Sequence, residues 1–326
     1  MSYCLILQPI HPVGFEKLKE YGIEPRMASA PDMDTVAKEI GGAIACISRN
    51  AGLNRKAMEA AGKLLVHGNH GIGVDPVDVD YANEIGLPII YTPYSNIQSV
   101  AEHTIALMFA VYRQCVNLDK AIRGGDWNAR LTTLQHELFG KTLGIIGFGR
   151  IGRLTAEMCM KGFDMKVLVY SRSHGAEEIA KAGMTRADSL SELMSQSDIV
   201  SLHTVLTPQT RGLIDREAIE AMKEEAILVN TGRGATVDQK ALGEALAEKR
   251  IFGAGLDVFD NEPVKADDPL CQLDNVVLTP HAAGSTRECL ARTATELADM
   301  IRDVRDGKRP QHMINPDVWD RRRIPA

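Results

Sequence analysis

Several features are scarce in this sequence, and each scarcity removes a class of function. The six cysteines, Cys4, Cys46, Cys115, Cys159, Cys271 and Cys289, are scattered, with no C-x-x-C pair or other metal-ligand spacing. No metal is therefore expected, and reduced thiols in a cytoplasmic protein, most of them in cores, are the simplest account. No apolar run approaches the ~18 residues of a membrane span. Met1 to Gln8 reads as a first strand, with neither the basic region nor the cleavage site of a secretory signal. The formal net charge of −6 is mild, and Arg321-Arg322-Arg323 is too short a basic cluster to argue for nucleic acid.

What is present is a chain of 326 residues, long enough for two domains, with the 44% hydrophobic and 25% charged content of a globular protein. The first hundred residues alternate apolar runs with helix-compatible stretches. Leu5 to Leu7, Ala43 to Ile47, Leu64 to Val66 and Leu87 to Ile90 read as strands, and Gly14 to Tyr21, Asp32 to Ile40, Asn54 to Ala61 and Val77 to Ile85 as helices. Such a repeat predicts a small parallel sheet covered by helices. Between Ile97 and Arg123 a helix rich in alanine and large apolar residues is apolar on more than one face, which predicts a connecting helix buried between domains or against a second subunit. Trp127 is expected on a following arm that covers apolar surface.

The richest signal is Lys141 to Gly152, an apolar run that closes on Gly147, Gly149 and Gly152 at a strand-to-helix turn. The first glycine allows a tight turn, the second lets a pyrophosphate approach the backbone, and the third lets helix pack on strand. The free N–H groups of the helix start then face the phosphates. Further strands are expected at Lys166 to Tyr170, Asp198 to Leu202, Ala226 to Asn230, Ala254 to Val258 and Val276 to Leu278, six in all. A helix over Thr286 to Asp306 leads back to the first domain, so residues 1–98 with 290–326 form one domain and 99–289 the other.

In an open parallel sheet the ligand lies beyond the carboxyl ends of the strands. Arg233, Glu262 and His281 each follow a different strand there, although singly an arginine between glycines could bind backbone carbonyls, a glutamate before proline could be a turn residue and a histidine could be a loop hydrogen-bonder. The chain resembles the D-isomer-specific 2-hydroxyacid dehydrogenases in Gly71-Ile-Gly-Val-Asp75, Ser99-Val-Ala-Glu102, the glycine turn, His203 to Pro208, Asn230-Thr-Gly-Arg-Gly234, Gly255-Leu-Asp-Val258, Asn261-Glu-Pro263, Pro280-His281 and Asn315-Pro-Asp-Val-Trp319. The resemblance implies two doubly wound parallel α/β domains, the larger a Rossmann dinucleotide-binding domain inserted into a smaller flavodoxin-like substrate domain, and a homodimer. It also implies hydride transfer between a nicotinamide and a small 2-keto or D-2-hydroxy acid, with His281 as proton donor or base, Glu262 on its other ring nitrogen and Arg233 on the carboxylate; imidazole titration and guanidinium geometry suit those roles independently.

The same resemblance puts Arg150 and Ile151 under the pyrophosphate, Thr204 and Pro208 near a ribose, and Thr231, Asp257 and Gly284 near the nicotinamide. Asp257 could accept the carboxamide N–H₂ or form a salt bridge to a neighbouring loop. The loop Asn69-His70-Gly71-Ile72-Gly73 would offer backbone N–H groups to the substrate, with Ile72 and Gly73 close to both ligands. NAD-preferring folds place an acid ~20 residues beyond the glycines, but here stands Ser171, followed by Arg172 and Ser173, which could hold a 2′-phosphate; NADP is expected ahead of NAD, although Arg172 could equally stack on adenine. Phosphoglycerate dehydrogenases usually carry arginine where Asn69 stands, and Ser48 precedes a displaced Arg49, so glyoxylate, hydroxypyruvate or a related short acid is expected, with 3-phosphoglycerate as the alternative. No C-terminal regulatory domain is expected. A dinucleotide-sensing binding protein is the rival from another class.

Overall fold

The structure, a computed structural model, describes residues Ser2–Ile324. Met1, the first residue of the expected opening strand, lies outside them. The chain divides into two compact units, one running up to Asn96 and resuming at Gly284, the other spanning Ile97–Ala283.

The first unit contains β1 (Tyr3–Ile6), α1 (Pro12–Glu20), β2 (Glu24–Met27), α2 (Met33–Glu39), β3 (Ala45–Ser48), α3 (Arg55–Ala60), β4 (Val66–Asn69), α4 (Val79–Glu84) and β5 (Ile89–Tyr91). All its strand pairs are parallel, in the order β2-β1-β3-β4-β5. That is the flavodoxin-like arrangement. Asp32, Asn54 and Asp78 each accept the N–H three residues on, which is why α2, α3 and α4 begin there. The reading of the sequence misses β2: Glu-Pro-Arg-Met carries no alternating apolar pattern, and proline is tolerated because this edge strand pairs on one side with β1. It also ends β4 too early, since the strand continues through His67, Gly68 and Asn69, polar positions that are nonetheless buried.

The second unit opens with α5 (Ile97–Tyr112), α6 (Cys115–Arg123) and α7 (Ala129–Thr132). Its sheet follows: β6 (Thr142–Ile146), α8 (Arg150–Phe163), β7 (Lys166–Tyr170), α9 (Ala176–Lys181), β8 (Thr185–Arg186), α10 (Leu190–Gln196), β9 (Ile199–Leu202), α11 (Arg216–Glu220), β10 (Ile227–Asn230), α12 (Gln239–Ala247), β11 (Gly253–Leu256) and β12 (Val276–Leu278). The sheet has seven strands, not six, in the order β12-β11-β10-β9-β6-β7-β8. The extra one, β8, is a two-residue edge strand too short to leave a pattern. From β8 to β11 the order is that of a Rossmann fold, with β12 added at the far edge.

Helix α5 is the apolar connecting helix read from the sequence. It lies against β10, β11, β12 and α8 of its own unit, with Leu107, Met108, Val111 and Tyr112 buried in that core. Two glycines in β11 admit it: a Cβ on Gly255 would stand 2.9 Å from Leu107 Cβ, and one on Gly253 would stand 2.8 Å from Val111 Cγ1. Ile105 and Phe109 of α5 pack against the same core but stay only partly buried. Beyond it Ile122, Trp127, Leu131, Leu134 and Phe139 are exposed.

After the second unit the chain re-enters the first through α13 (Arg287–Arg305), which starts at the Thr286 cap and packs on α1, β4 and β5. The Asn315 side chain then closes the unit: Oδ1 accepts from Ile89 N at 2.8 Å and Nδ2 donates to Leu87 O at 3.0 Å. Four cysteines are buried and two, Cys115 and Cys271, exposed; all six are free.

Replacing Gly255 by alanine would force Leu107 and the α5 backbone away from the sheet. The expected loss of about 1–3 kcal/mol of stability is checked by chemical denaturation of the purified variant.

Candidate active site

The site grows from the carboxyl ends of β6, β9, β10, β11 and β12. At the end of β6, Gly147 has φ 97°, and a Cβ there would lie 2.8 Å from the backbone of His203. Only a glycine makes this turn without strain. A Cβ on Gly152 would come within 2.3 Å of Gly147 O, so the third glycine lets α8 start against the turn. Gly149 differs: nothing lies within 4 Å of a Cβ built on it, and as the cap of α8 it makes no side-chain hydrogen bond. Open space before a 14-residue helix start suits a diphosphate. Arg150 and Ile151 form the first turn of α8, with Arg150 exposed. Thr204 Oγ1 is buried without a hydrogen-bond partner, an orphan that a bound ribose or phosphate would satisfy. These features fit a dinucleotide.

At the end of β7 the expected trio separates. Ser171 is buried, and its hydroxyl lies 3.1 Å from His174 Nδ1 while accepting from the N–H groups of Ser173 and His174. It shapes its own turn. Arg172 is exposed and makes no hydrogen bond or ion pair with the described residues; Ser173 is exposed, its hydroxyl 3.0 Å from His174 Nδ1. His174 escapes notice in the sequence because it lies three residues past Ser171, beyond the position where an acid is sought. It stands edge-on to Phe148, over which the Arg153 guanidinium lies 4.7 Å from the ring centre.

Beyond β9, Thr210 braces the loop through Pro208, accepting from Thr207 N at 2.7 Å and donating to Val205 O at 2.7 Å. Thr231 Oγ1, after β10, lies 2.9 Å from Thr104 Oγ1 of α5. Asn230 and Thr236 hold the following loop, donating to Arg233 O at 3.0 Å and 2.6 Å. A Cβ on Gly234 would sit 1.9 Å from the Phe259 carbonyl carbon, so glycine lets the loop carrying Arg233 press against the loop carrying Glu262.

Glu262 Oε1 accepts from Phe259 N at 3.0 Å, and Oε2 lies 2.8 Å from His281 Nδ1. Burial pushes the Glu262 carboxyl up, but the bonds from His281 and Phe259 outweigh it and hold the group below its usual range. The Glu262 hydrogen bond raises the His281 imidazole against the opposing effect of burial, aided by the charges of Glu262 and Asp257 and resisted by Arg233. With Nδ1 committed to Glu262, His281 presents Nε2 to a ligand.

Asp257 is fully buried. Its Oδ1 accepts from Thr279 Oγ1 at 2.6 Å and Ala282 N at 2.7 Å, and its Oδ2 from Ala283 N at 2.9 Å. Burial raises this carboxyl, while bonds from His103, Thr279, Ala282 and Ala283 bring it below the ordinary value. His103 and Thr279, both missed by sequence reading, belong to this cluster.

The remaining expected residues lie in the first unit. Asn69 ends β4 and donates Nδ2 to Gly71 O at 3.2 Å and Gly73 O at 2.8 Å. Its side-chain amide therefore shapes the loop around Ile72. Gly71 takes φ 138° at the bend. His70 is lowered to about 4 by burial and the nearby Arg49, so its ring is neutral at physiological pH. Gly284 begins the return into this unit, its Cβ position 3.6 Å from Asn96 Cβ. Among the described residues no cluster of His, Cys, Asp and Glu is placed to hold a metal, and no helix is long and apolar enough to cross a membrane.

A glycine turn at the switch point of a Rossmann sheet, with an arginine and an imidazole–carboxylate pair on neighbouring loops, defines a nicotinamide-dinucleotide oxidoreductase fold. The chain belongs to the D-isomer specific 2-hydroxyacid dehydrogenase family: residues 105–283 match that family's NAD binding domain. It is 38% identical over 316 residues to a D-3-phosphoglycerate dehydrogenase of Methanocaldococcus jannaschii, covering 97% of this chain and 60% of that protein's length. To a glyoxylate reductase of Korarchaeum cryptofilum it is 40% identical over 269 residues, 82% of this chain and 80% of the relative. Among solved structures, an NADPH-dependent glyoxylate/hydroxypyruvate reductase of Sinorhizobium meliloti, in complex with NADP and malonate, superposes with a TM-score of 0.85 at 27% identity, over 99% of this chain and 98% of that one.

Glu262→Gln removes the charge that stabilises the imidazolium. Because the folded pKa of His281 is raised in the native protein, the variant should titrate this ring at lower pH; an unchanged His281 titration by NMR would show that the contact contributes nothing.

Proposed function

We propose that the protein is an NADP-preferring D-2-hydroxyacid dehydrogenase that reduces short 2-keto acids of the glyoxylate or hydroxypyruvate type. The observation that carries the reaction class is the 2.8 Å contact between His281 Nδ1 and Glu262 Oε2, beside the Arg233 loop and a turn that suits a diphosphate. When bound, the reduced nicotinamide supplies the hydride. His281, whose hold on the proton Glu262 strengthens, gives its Nε2 proton to the carbonyl oxygen, and in the reverse direction takes it back. Arg233 clamps the substrate carboxylate with a planar fork and draws electron density from the carbonyl. Asp257 keeps the loop of His281 in place, and Oδ2, with a single protein donor, has a lone pair left for the carboxamide. Gly147, Gly149, Arg150, Ile151 and Gly152 hold the pyrophosphate, with Thr204, Pro208, Thr231 and Gly284 around the rest of the cofactor. The backbone of His70 to Gly73 receives the substrate.

Preference for NADP rests on Arg172, a guanidinium with no partner among the described residues where an acid would otherwise meet the ribose. Preference for a small acid rests on the β4 loop: Asn69 replaces a cation and is committed to the loop, and His70 is neutral. The alternative, D-3-phosphoglycerate, is supported by the M. jannaschii relative and by Arg49 at the end of β3, although that guanidinium already donates to Pro9 O at 3.2 Å and Ser285 Oγ at 3.3 Å. The exposed apolar set around Trp127 and Leu131 fits a homodimer contact. Six free cysteines fit a reducing cytoplasm.

A panel of 2-keto acids and phosphohydroxypyruvate, run with both reduced cofactors, tests this reading. Turnover of glyoxylate or hydroxypyruvate with NADPH is expected; tight dinucleotide binding without turnover of any acid would instead indicate a sensor. Arg172→Ala should raise the KM for NADPH about tenfold, the loss of one charge-assisted contact, and leave NADH nearly unchanged. Equal effects on both cofactors would mean that Arg172 stacks on adenine.

A further inference from the structure

His281 has φ 52°, in the left-handed region that a residue with a Cβ adopts at a cost. Something must hold it there. His281 N donates to Asp257 O at 2.8 Å, and the Asp257 side chain takes the next two backbone N–H groups, from Ala282 and Ala283. The conformation of the loop therefore depends on where this one buried carboxylate points.

Thr279 decides what orients the carboxylate. Its hydroxyl has one hydrogen, and at 2.6 Å from Asp257 Oδ1, an atom that can only accept, that hydrogen is spent. The second contact of Thr279 Oγ1, 3.0 Å from His103 Nε2, is consequently one in which the hydroxyl accepts. His103 must carry a hydrogen on Nε2 whether its ring is neutral or charged. That nitrogen also lies 3.5 Å from Asp257 Oδ1. His103 projects from α5, the helix that β11 admits through Gly253 and Gly255, and it is a quarter exposed.

We propose that His103 is a positioning residue for the reaction: its Nε2–H, through the Thr279 hydroxyl, fixes the Asp257 carboxylate on the Ala282 and Ala283 N–H groups and so keeps the imidazole of His281 seated against Glu262. The chain of donors runs one way, from α5 through β12 to the end of β11, and nothing in it needs His103 to be charged. Without it the Thr279 hydroxyl loses the donor that orients it, the carboxylate is no longer held on the Ala282 and Ala283 N–H groups, the loop relaxes from the left-handed backbone, and His281 leaves its hydrogen bond. The charged groups acting on His281 are Glu262, Asp257 and Arg233, and the titratable group facing Asp257 from α5 is His103. Loss of the Glu262 contact therefore moves the His281 titration toward acid, because the largest influence raising it is gone.

The inference rests on His281 being the proton donor, and the experiment separates the two. His103→Leu, His103→Gln, Thr279→Val, Thr279→Ser and His281→Ala are compared in the full-length protein by the pH profile of keto-acid reduction and by NMR titration of the His281 ring without substrate. In His103→Leu and Thr279→Val, kcat should fall about tenfold to a hundredfold, as for a misplaced reacting group, with the KM for cofactor little changed and both the kinetic limb and the ring titration shifted to lower pH. His103→Gln keeps an N–H donor and Thr279→Ser keeps a hydroxyl, so both should restore the wild-type limb. A His103→Leu protein with wild-type kcat and titration overturns the proposal, as does a His103→Gln protein as impaired as His103→Leu. If His281→Ala itself still reduces keto acids, the proton-donor reading fails instead; if the His103→Leu protein does not fold, the two Thr279 variants decide.

Discussion

The contact between His281 Nδ1 and Glu262 Oε2 is the constraint to which the rest of the site is fitted. An imidazole at the end of a β-strand loop is ordinarily half protonated near neutrality and free to rotate. Placing a carboxylate against one nitrogen fixes the ring, raises its affinity for the proton and leaves the other nitrogen facing outward. The pair lies on two loops from different strands, so the contact exists only if both loops are held. Gly234, pressed against the Phe259 carbonyl, packs the Arg233 loop on the Glu262 loop. Asp257 stitches the His281 loop to the end of β11.

Buried polar groups carry much of this order. Asp257 is removed from solvent entirely, and its charge is tolerated because three strong donors meet it. Asn69 plays a comparable part in the first unit, its amide donated to two carbonyls of the loop that follows β4. In both cases a polar residue that looks from sequence like a ligand contact proves to set the shape of a loop. Such residues decide function at one remove, since the geometry they impose is what presents the backbone or the imidazole.

Much of this was legible in the residues. Alternating apolar and amphipathic runs and the spacing of Gly147, Gly149 and Gly152 announce parallel α/β folding. The strands that escaped, β2 and β8, are edge strands whose short or polar sequences carry no period, because an edge needs a partner on one side alone. Helix α5 was legible as a buried helix, but its partner was not: the close approach to Gly253 and Gly255 involves residues far along the chain.

The sequence by itself determined the fold class, the dinucleotide turn and which three polar side chains follow strands β10 to β12, for these depend on local periodicity and on residue types at fixed spacing. Tertiary structure alone decided that Ser171 hydrogen-bonds within its own turn, that Asp257 anchors the His281 loop, and that His103 and Thr279 reach that anchor. The physical reason is that hydrogen-bond direction depends on distances between residues far apart in the chain. His103 and Thr279 are separated by 176 positions and meet at 3.0 Å.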